Sequence, residues 1–346
     1  MPMLRGLRAS LCSLLLFALV GFGLLPGAVA ARQATPAASP AAQPADSLAE
    51  ATAWLLAQQD ASGGFPGYSG DVDAGVTTDA VMALAAAADT DPNADAAIDQ
   101  AVAYLADNGE AYAQTGAGQA AKLALAAVAG GRNPRSFVDV DLFAEMQNPP
   151  TTSVENPISG IWGDSLYAHA LVMLAFSAMG ELPPDSALEP LRATQGTDGG
   201  WAFDGSTEAG ASDSNTTSMI IQALVAAGYG DSDLIPPAIA FLETLRAPDG
   251  SGYAYGPGDP LNTDSNSTAL VAQALIAAQE DASGALAALA AYQLPDGSLR
   301  YMPADTDTNV LSTVQAIPAL AGKALPVVTG CPVDGEASAD CVLLAA

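Results

Sequence analysis

The stretch Leu191-Arg-Ala-Thr-Gln195-Gly-Thr-Asp-Gly199-Gly-Trp201 carries the pattern on which this chain is built. An apolar residue near the end of a helix is followed by Gln four residues on, by Gly four residues further, and by an aromatic residue two beyond that. Related copies are Trp54-Leu55…Gln59…Gly63-x-Phe65, Leu289…Gln293…Gly297-x-Leu299 and Phe241-Leu242…Arg246…Gly250 with Tyr253 one step late. Eroded copies are Tyr104-Leu105…Gly109 and Phe143…Gln147, the latter with Gly160-x-Trp162 displaced by an insertion. The pattern predicts six repeated units.

The spacing of the Asp-Gly turns supports a regular period. Asp198, Asp249 and Asp296 are separated by 51 and 47 residues, and Asp60 precedes Asp198 by 138 residues, three times 46. A period near fifty residues is typical of repeat architectures, in which each unit buries its apolar face against its neighbours.

Each unit holds two predicted helices of different character. In the first set, apolar residues recur at spacings of three and four positions, which predicts one buried face and one solvent-exposed face. The second set is nearly free of charge and apolar almost all round, so we expect it to be covered on most sides. The first set comprises residues 46–59, 94–108, 139–147, 186–195, 234–246 and 283–293; the second comprises 77–88, 117–129, 164–179, 213–227, 264–278 and 307–321. Alternating outer and inner helices predict an all-α fold, a single α6/α6 toroid.

Four inner helices begin with a shared polar signal. Asp164, Asp213, Asp264 and Asp307 each stand where a helix N-cap is expected, each followed by Ser or Thr. Short polar side chains at this position accept hydrogen bonds from free backbone N–H groups. Because the inner helices of a toroid run in the same direction, the four caps predict a ring of carboxylates at one mouth, where we expect a ligand.

The N-terminus predicts export. Residues 1–30 carry Arg5 and Arg8, an apolar run and a small-residue site ending at Ala30, which is the layout of a secretory signal peptide. Residues 31–45 are rich in Ala and Pro and predict a disordered linker. We therefore expect a secreted or extracytoplasmic protein with no membrane span after signal cleavage.

The predicted toroid covers residues 46–322, and residues 323–346 form a tail. Cys331 and Cys341 are the cysteines that remain after signal cleavage, and an even pair closing a short loop in an exported protein predicts a disulfide. No metal site is expected, because His169 is the only histidine and no other thiol remains.

The net charge of −28 constrains the ligand. Such a surface repels phosphate, nucleic acid, acidic lipid and uronic-acid polymers, and the basic residues are scattered singly. A neutral or cationic ligand is favoured, and a partner protein on one face of the toroid stays a further alternative.

The repeated Gln-x3-Gly-x-Trp segments, together with inner helices that begin like Asp213-Ser-Asn-Thr, resemble the squalene cyclase and protein prenyltransferase repeat superfamily. The resemblance covers residues 46–322. It implies an α/α toroid, and it allows several activities: triterpene cyclases, zinc-dependent prenyltransferases, thioester domains and cobalamin carriers of the transcobalamin type.

Three of these activities lack their residues. The Asp-x-Asp-Asp acid motif of the cyclases is incomplete at both Asp71-Val-Asp73-Ala and Asp139-Val-Asp141-Leu. The zinc triad of the prenyltransferases needs an inner-helix Cys, and the thioester domain needs a Cys-Gly-Glu-Gln string; neither is present in the sequence. No catalytic residue is therefore assigned.

A binding role is favoured by the polar residues of the inner helices. Gln222, Gln273 and Gln315 occupy matching positions, eight or nine residues beyond Asp213, Asp264 and Asp307. A Gln in an apolar helix needs a partner, either the backbone of a neighbouring helix or a ligand. The resemblance to cobalamin carriers implies a corrinoid as the leading ligand. The full predicted ligand-binding set is Thr78, Asp164, Tyr167, Asp213, Thr217, Gln222, Asp264, Gln273, Asp307 and Gln315.

An enzyme of the same fold is the alternative, either cyclase-like or carbohydrate-active. Polysaccharide-cleaving toroids use two carboxylates, and Asp79, Asp164, Asp213, Asp264 and Asp307 are the candidates at the mouth. Trp162, Trp201, Tyr253 and Tyr255 are candidates for stacking on sugars. Both sets also have a structural interpretation, as helix caps and as packing residues of the repeat. His169 likewise is either a hydrogen-bonded core residue or a functional imidazole.

Overall fold

The computed structural model describes residues 44–147 and 158–328. These residues form twelve α-helices. The predicted signal peptide, most of the linker, and Cys331 and Cys341 lie outside the described residues. The helices are α1 Pro44–Ala57, α2 Ala74–Ala86, α3 Ala94–Ala113, α4 Ala117–Ala129, α5 Leu142–Gln147, α6 Leu166–Ala178, α7 Leu188–Thr194, α8 Ser214–Ala226, α9 Ile235–Thr244, α10 Ser265–Ala277, α11 Ser283–Tyr292 and α12 Val310–Leu320. A short 3₁₀ turn, Asp185–Ala187, precedes α7.

The even-numbered helices form a closed inner ring. Each contacts the next, and α12 packs against α2 to complete the circle. The odd-numbered helices lie outside, as α3 does between α2 and α4, and α1 closes the outer layer against α11 and α12. The predicted α6/α6 toroid is confirmed. Its first helix begins at Pro44, two residues before the predicted start, and its last helix ends at Leu320.

Small residues allow the inner helices to pack closely. Helix α4 reads Ala-Gly-Gln-Ala-Ala-Lys-Leu-Ala-Leu-Ala-Ala-Val-Ala and is buried along almost its whole length. Alanine has the highest helix propensity and lets neighbouring backbones approach. Leu123 and Leu125 of this helix are fully buried, and so is Leu84 of α2. The ring of inner helices is therefore also the hydrophobic core.

The Gln of the repeated pattern links one unit to the next by hydrogen bonds. The side-chain amide of Gln195 donates to the carbonyl of Gly199 at 2.9 Å and to that of Leu234, at the start of α9, at 2.9 Å. Gln59 bonds Gly63 and Ala97 in the same way, and Gln293 bonds Gly297 and Ser47. The bond from Gln293 to Ser47 joins the last unit to the first and so closes the toroid.

The Gly four residues later is required by its backbone and its surroundings. Gly199 has φ +92°, a backbone conformation that residues other than glycine rarely adopt. A Cβ there would collide with the carbonyl oxygen of Pro237 in the next outer helix. Gly63 and Gly297 have the same conformation and the same kind of close approach, to Gln100 and Glu50.

A threonine in each of four inner helices anchors the loop that follows the Gly. Thr217 accepts a hydrogen bond from the backbone N–H of Trp201 at 2.9 Å. The equivalent pairs are Thr77 with Phe65, Thr268 with Tyr253, and Thr313 with Leu299. The motif residue of each loop is thereby held in the core, where Trp201 and Tyr253 are almost completely buried. Between α9 and α10 the loop forms a two-stranded antiparallel sheet, β1 Tyr253–Ala254 with β2 Thr263–Asp264.

The structure corrects two of the four predicted helix caps. Asp213 and Asp264 are N-caps as predicted, accepting from Thr216 and Ser267. Helix α6 is instead capped by Ser165, and α12 by Asn309, because these side chains lie one and two residues nearer to the helix than Asp164 and Asp307.

The eroded motif copy from Tyr104 to Gly109 is not a helix end. Helix α3 continues to Ala113, and Gly109 is buried within it against Leu123. Since a glycine interrupts a helix only weakly when its neighbour packs closely, the outer helix is longer here than predicted. Among the described residues, none of the helices is both long enough and apolar enough to cross a bilayer.

Candidate functional site at the N-terminal mouth and central cavity

Three aromatic side chains surround the mouth at which the inner helices begin. Phe203, Tyr255 and Tyr301 each lie two residues beyond the buried motif residue of their loop. Their carbonyls accept hydrogen bonds from Leu166, Ser214 and Ser265, the first residues of α6, α8 and α10, at 2.8 to 3.0 Å. The side chains are 51%, 50% and 41% exposed. We call these three residues the aromatic rim.

The two cap carboxylates lie directly beneath the aromatic rim. Asp213 accepts from the backbone of Thr216 at 2.7 Å and of Phe203 at 3.1 Å, and the Tyr255 phenol also bonds it. Burial raises the pKa of Asp213 and of Asp264. Burial, followed by the nearby carboxylate, raises the pKa of Tyr255 and of Tyr301, so both phenols stay protonated at neutral pH.

The residues predicted to stack on sugars are mostly core residues. Trp201 and Tyr253 are buried, and Trp162 stacks on His169 and Phe176 with ring centroids 5.1 Å from each. Tyr255 alone of the predicted set is exposed at the mouth. Sequence reasoning missed Phe203 and Tyr301, although the recurrence of an aromatic residue two positions after the motif residue would have revealed them.

A cavity of about 90 Å³ occupies the centre of the toroid, and all six inner helices line it. One side is polar, with Asp79 of α2, Lys122 of α4 and Tyr167 of α6. The opposite side is formed by apolar residues of α8, α10 and α12 and by two amides. The cavity lies along the axis of the ring, below the mouth to which Tyr167, the second residue of α6, belongs.

An ion pair dominates the polar side of the cavity. The Nζ atom of Lys122 lies 2.8 Å from each carboxylate oxygen of Asp79, and the two side chains are only 23% and 13% exposed. Burial works against the charged form of Lys122, but Asp79 and the Tyr112 phenol outweigh it and raise its pKa above the ordinary value. Burial also raises the pKa of Tyr167 to about 12, so this phenol is a hydrogen-bond donor at neutral pH. Lys122 was not among the predicted site residues. Its position as the single lysine of an alanine-rich helix could have indicated a role in the site.

The predicted glutamines divide into two kinds. Gln222 is buried, and its carbonyl oxygen accepts from the backbone N–H of Leu325 at 2.9 Å. Gln273 donates to the backbone carbonyl of Gln315 at 2.9 Å, which is the bond between neighbouring inner helices weighed above. The side-chain carbonyl oxygen of Gln315 is buried and has no hydrogen-bond partner among the described residues. Gln273 and Gln315 line the cavity.

The other predicted ligand residues are more distant from the cavity or are engaged elsewhere. Thr217 anchors Trp201, as described above. Thr78 is fully buried and donates to the carbonyl of Gly75 at 2.6 Å, beside the Tyr112 phenol. Asp164 and Asp307 are exposed on the loops before α6 and α12. The structure thus brings Asp79, Tyr167, Gln273 and Gln315 together at the cavity and places Asp213 and Asp264 at the mouth. Among the described residues there is no cluster of three or more side chains suited to holding a metal ion.

The far end of the cavity is closed by the chain that follows α12. Leu325 lines the cavity, and its backbone N–H is the donor to Gln222. Val327 is 4% exposed, and residues 323–328 border a surface groove together with Ser177 and Ala226, at the C-terminal ends of α6 and α8. On the side of the rim, the cavity extends to Tyr167, the second residue of α6.

His169 is a core residue rather than part of the cavity. It is fully buried, Nδ1 accepts from the backbone N–H of Trp162 at 3.0 Å, and Nε2 lies 2.9 Å from the carbonyl of Ala187. Because Nδ1 accepts, Nε2 carries the proton and donates. Burial outweighs the bond to Ala187 and lowers the pKa of His169 to about 4.

This pKa predicts a pH dependence of stability. Since the unfolded chain binds a proton near pH 6.5 and the folded chain only near pH 4, stability is fully present above pH 6.5 and falls as the pH drops towards 4. The expected loss is about 3 kcal/mol, at about 1.4 kcal/mol per pKa unit. Urea unfolding of the wild-type chain and of His169→Gln at pH 7, 5.5 and 4 measures it, because only the wild type should show this component. Parallel pH profiles for the two proteins would contradict the assignment.

Comparisons with known proteins identify the fold and nothing finer. Neither a scan of protein-family models nor a search of curated proteins finds a match. Among solved structures, the type II terpene cyclase MstE from Scytonema is similar, with 18% identity and a TM-score of 0.56 over 80% of this chain and 97% of that one. An unsaturated glucuronyl hydrolase specific for heparin matches with 12% identity and a TM-score of 0.58, over 81% and 96%. A protein from Actinoplanes matches with 16% identity and a TM-score of 0.59, over 81% and 99%.

These neighbours support the α/α toroid and the terpenoid cyclase-like fold expected from the sequence. They lend no support to the cobalamin-carrier resemblance. The central cavity is also far smaller than the roughly 300–1,000 Å³ of ordinary cofactor sites, so it does not hold a corrin ring.

Proposed function

We propose that this protein is a carbohydrate-active toroid that binds a neutral glycan at the N-terminal mouth. The aromatic rim is the observation that carries the proposal. The backbone carbonyls of Phe203, Tyr255 and Tyr301 accept the hydrogen bonds from the first residues of the inner helices, and this contact does not depend on an aromatic side chain. Half-exposed rings at three successive loops offer flat apolar faces, and the C–H groups of a pyranose ring pack on the electron-rich face of an aromatic ring.

The charge of the protein favours a neutral glycan over an acidic one. Asp213 and Asp264 underlie the rim, and Asp204 is exposed beside Phe203. Lys122, the cation lining the cavity, is already paired with Asp79. A uronate would therefore meet uncompensated negative charge, in contrast to the acidic polymer heparin named for one structural neighbour.

The groups for acid–base chemistry lie immediately below the rim. Tyr167 offers a protonated phenol, and the Asp79–Lys122 pair offers a carboxylate whose position is held by two short contacts. A sugar resting on the rim would direct one of its substituents towards these groups. We assign Tyr167 as the proton-donating or hydrogen-bonding residue, beside the charges of the Asp79–Lys122 pair.

A terpenoid substrate fits the geometry less well. MstE binds geranylgeranyl dihydroxybenzoate, a long apolar chain with an aromatic head. The cavity of about 90 Å³ in this chain has no room for such a molecule, and both oxygens of Asp79 already contact Lys122 rather than being free to protonate an alkene.

The proposal is tested by calorimetric titration of the full chain with neutral hexasaccharides, cellohexaose, xylohexaose, maltohexaose and N-acetylchitohexaose, with oligogalacturonate as the acidic comparison. At least one neutral glycan is expected to bind, and Phe203→Ala or Tyr255→Ala should weaken it about tenfold, or about 1.4 kcal/mol. Leu182→Ala is the matched control, since Leu182 is 76% exposed beyond the C-terminal end of α6. Binding of no neutral glycan, or an equal loss in the control, would overturn the proposal.

Turnover is measured on the glycan that binds, by chromatography of the products. Tyr167→Phe should abolish turnover while leaving the affinity within about threefold, because the phenol lies below the rim that holds the sugar. Asp213→Asn should lower stability more than turnover, since both of its oxygens are occupied as a cap. Turnover unchanged in Tyr167→Phe would remove the catalytic assignment.

A further inference from the structure

The central cavity has the size of a substituent and not of a sugar ring. Its volume of about 90 Å³ is well below the roughly 300–1,000 Å³ of ordinary ligand pockets. Such a space suits a small side group. A glycan bound on the aromatic rim therefore cannot place a ring in the cavity, but it can insert one side group.

The cavity is polar on two sides and apolar between them. On one side are the Tyr167 phenol and the Nζ atom of Lys122, which has a third proton beyond the two directed at Asp79. On the other side is the side-chain amide of Gln315. The walls between them are apolar, with Leu171 and Met219 among the lining residues.

The Gln315 amide is a polar group of the cavity lining whose hydrogen-bonding capacity is partly unused among the described residues. Its carbonyl oxygen is buried and makes no hydrogen bond within the described residues, while its backbone carbonyl is taken by Gln273. A buried acceptor without a partner costs about 1–3 kcal/mol. Ser47, Ser218, Ser265 and Gln293 also have such an atom, but within the described residues Gln315 alone of the five lines the cavity. Because rotation of the terminal group exchanges its oxygen and nitrogen, this side chain can offer either an acceptor or a donor to a ligand.

We infer that the cavity is the subsite for the acetamido group of an N-acetylated amino sugar, an assignment that rests on the proposed function. The ligand carbonyl would accept from the Nζ atom of Lys122, the ligand N–H would donate to Gln315, and the methyl group would lie against Leu171 and Met219. An acetamido group is neutral, has one donor, one acceptor and one methyl, and consists of four heavy atoms. Each of these properties has a counterpart in the cavity.

The test compares two glycans that differ in this group. N-acetylchitohexaose and cellohexaose share the same β-1,4-linked backbone, and the first should bind the full wild-type chain about thirtyfold more tightly, as expected for two net hydrogen bonds. In Gln315→Leu, a substitution close in volume, the preference should fall to less than about fivefold. The affinity for cellohexaose should stay within twofold, which also reports that the variant is folded.

The possible outcomes separate this inference from the proposed function. Equal binding of the two hexasaccharides, still weakened by Phe203→Ala, would overturn the acetamido subsite and leave the rim as a glycan site. Tighter binding of the de-N-acetylated chitosan hexamer than of N-acetylchitohexaose would also overturn it, since recognition would then be by the carboxylates of the mouth. Binding of neither hexasaccharide, with another neutral glycan bound, would overturn only the inference; binding of no glycan would overturn both.

Discussion

Lys122→Met is expected to lower the free energy of unfolding by about 3 kcal/mol, because it leaves the carboxylate of Asp79 without its partner in the centre of the toroid. Methionine has an unbranched side chain of similar size but carries neither the charge nor the hydrogen-bond donors of the ammonium group. Removing one member of a buried pair costs more than the pair itself contributes, since the remaining charge has lost both water and its counterion. Urea unfolding at pH 7, followed by circular dichroism, measures the change.

Two further variants make this result specific. The double variant Asp79→Asn with Lys122→Met should recover most of the loss, to within about 1 kcal/mol of the wild type, because no unpaired charge remains. Arg192→Met is the matched control: Arg192 also forms a 2.8 Å contact with a carboxylate, Asp233, but the two side chains are 51% and 77% exposed. Solvent screening should hold its cost under about 1 kcal/mol. Equal losses for Lys122→Met and Arg192→Met would refute the account.

Trp201→Ala is expected to destabilise the protein by about 4 kcal/mol. The indole is completely buried, and its Nε1–H donates to the carbonyl of Leu191 in the preceding outer helix at 2.8 Å. The substitution therefore opens a large cavity and leaves a carbonyl unpaired. Thermal and urea unfolding report the loss, and Trp201→Phe should recover about half of it by restoring packing without the hydrogen bond.

Phe203→Ala is the comparison for Trp201→Ala. Phe203 lies two residues further along the same loop and is 51% exposed, so its replacement should change stability by no more than about 0.5 kcal/mol. The two neighbouring aromatic residues thus separate packing from surface function: the first maintains the fold, and the second is available to a ligand. Comparable losses in the two variants would show that Phe203 is a structural residue, and the rim would lose its role in the proposed function.

The structural role of most predicted site residues follows from the way the repeat uses its polar groups. Thr217 was predicted to contact a ligand, but its hydroxyl anchors the backbone of Trp201, as the equivalent threonines do in three other units. His169 likewise satisfies two backbone groups in the core. A sequence reports that a polar residue recurs, but it does not distinguish a recurring structural bond from a recurring ligand contact.

The sequence by itself determined the toroid, because the fold depends on local and periodic features. The Gln-x3-Gly spacing, the alternation of amphipathic and apolar helices and the period near fifty residues each constrain neighbouring units, and the repetition of those constraints closes the ring. The predicted ends of the helices agree with the observed ends to within a few residues. The capping residue itself differs in α6, where Ser165 is the N-cap in place of Asp164.

Only the tertiary structure decided the site, since the groups that form it are brought together from different units. Asp79 and Lys122 are 43 residues apart and meet only across two inner helices. Gln273, on the adjacent helix, bonds the backbone carbonyl of Gln315, and the side-chain oxygen of Gln315 has no hydrogen-bond partner among the described residues. Leu325 closes the cavity from a segment without any repeat signal. Distances across a ring of helices depend on packing, which the periodicity of a sequence does not encode. The size and the polarity of the central cavity therefore could not be predicted from the sequence.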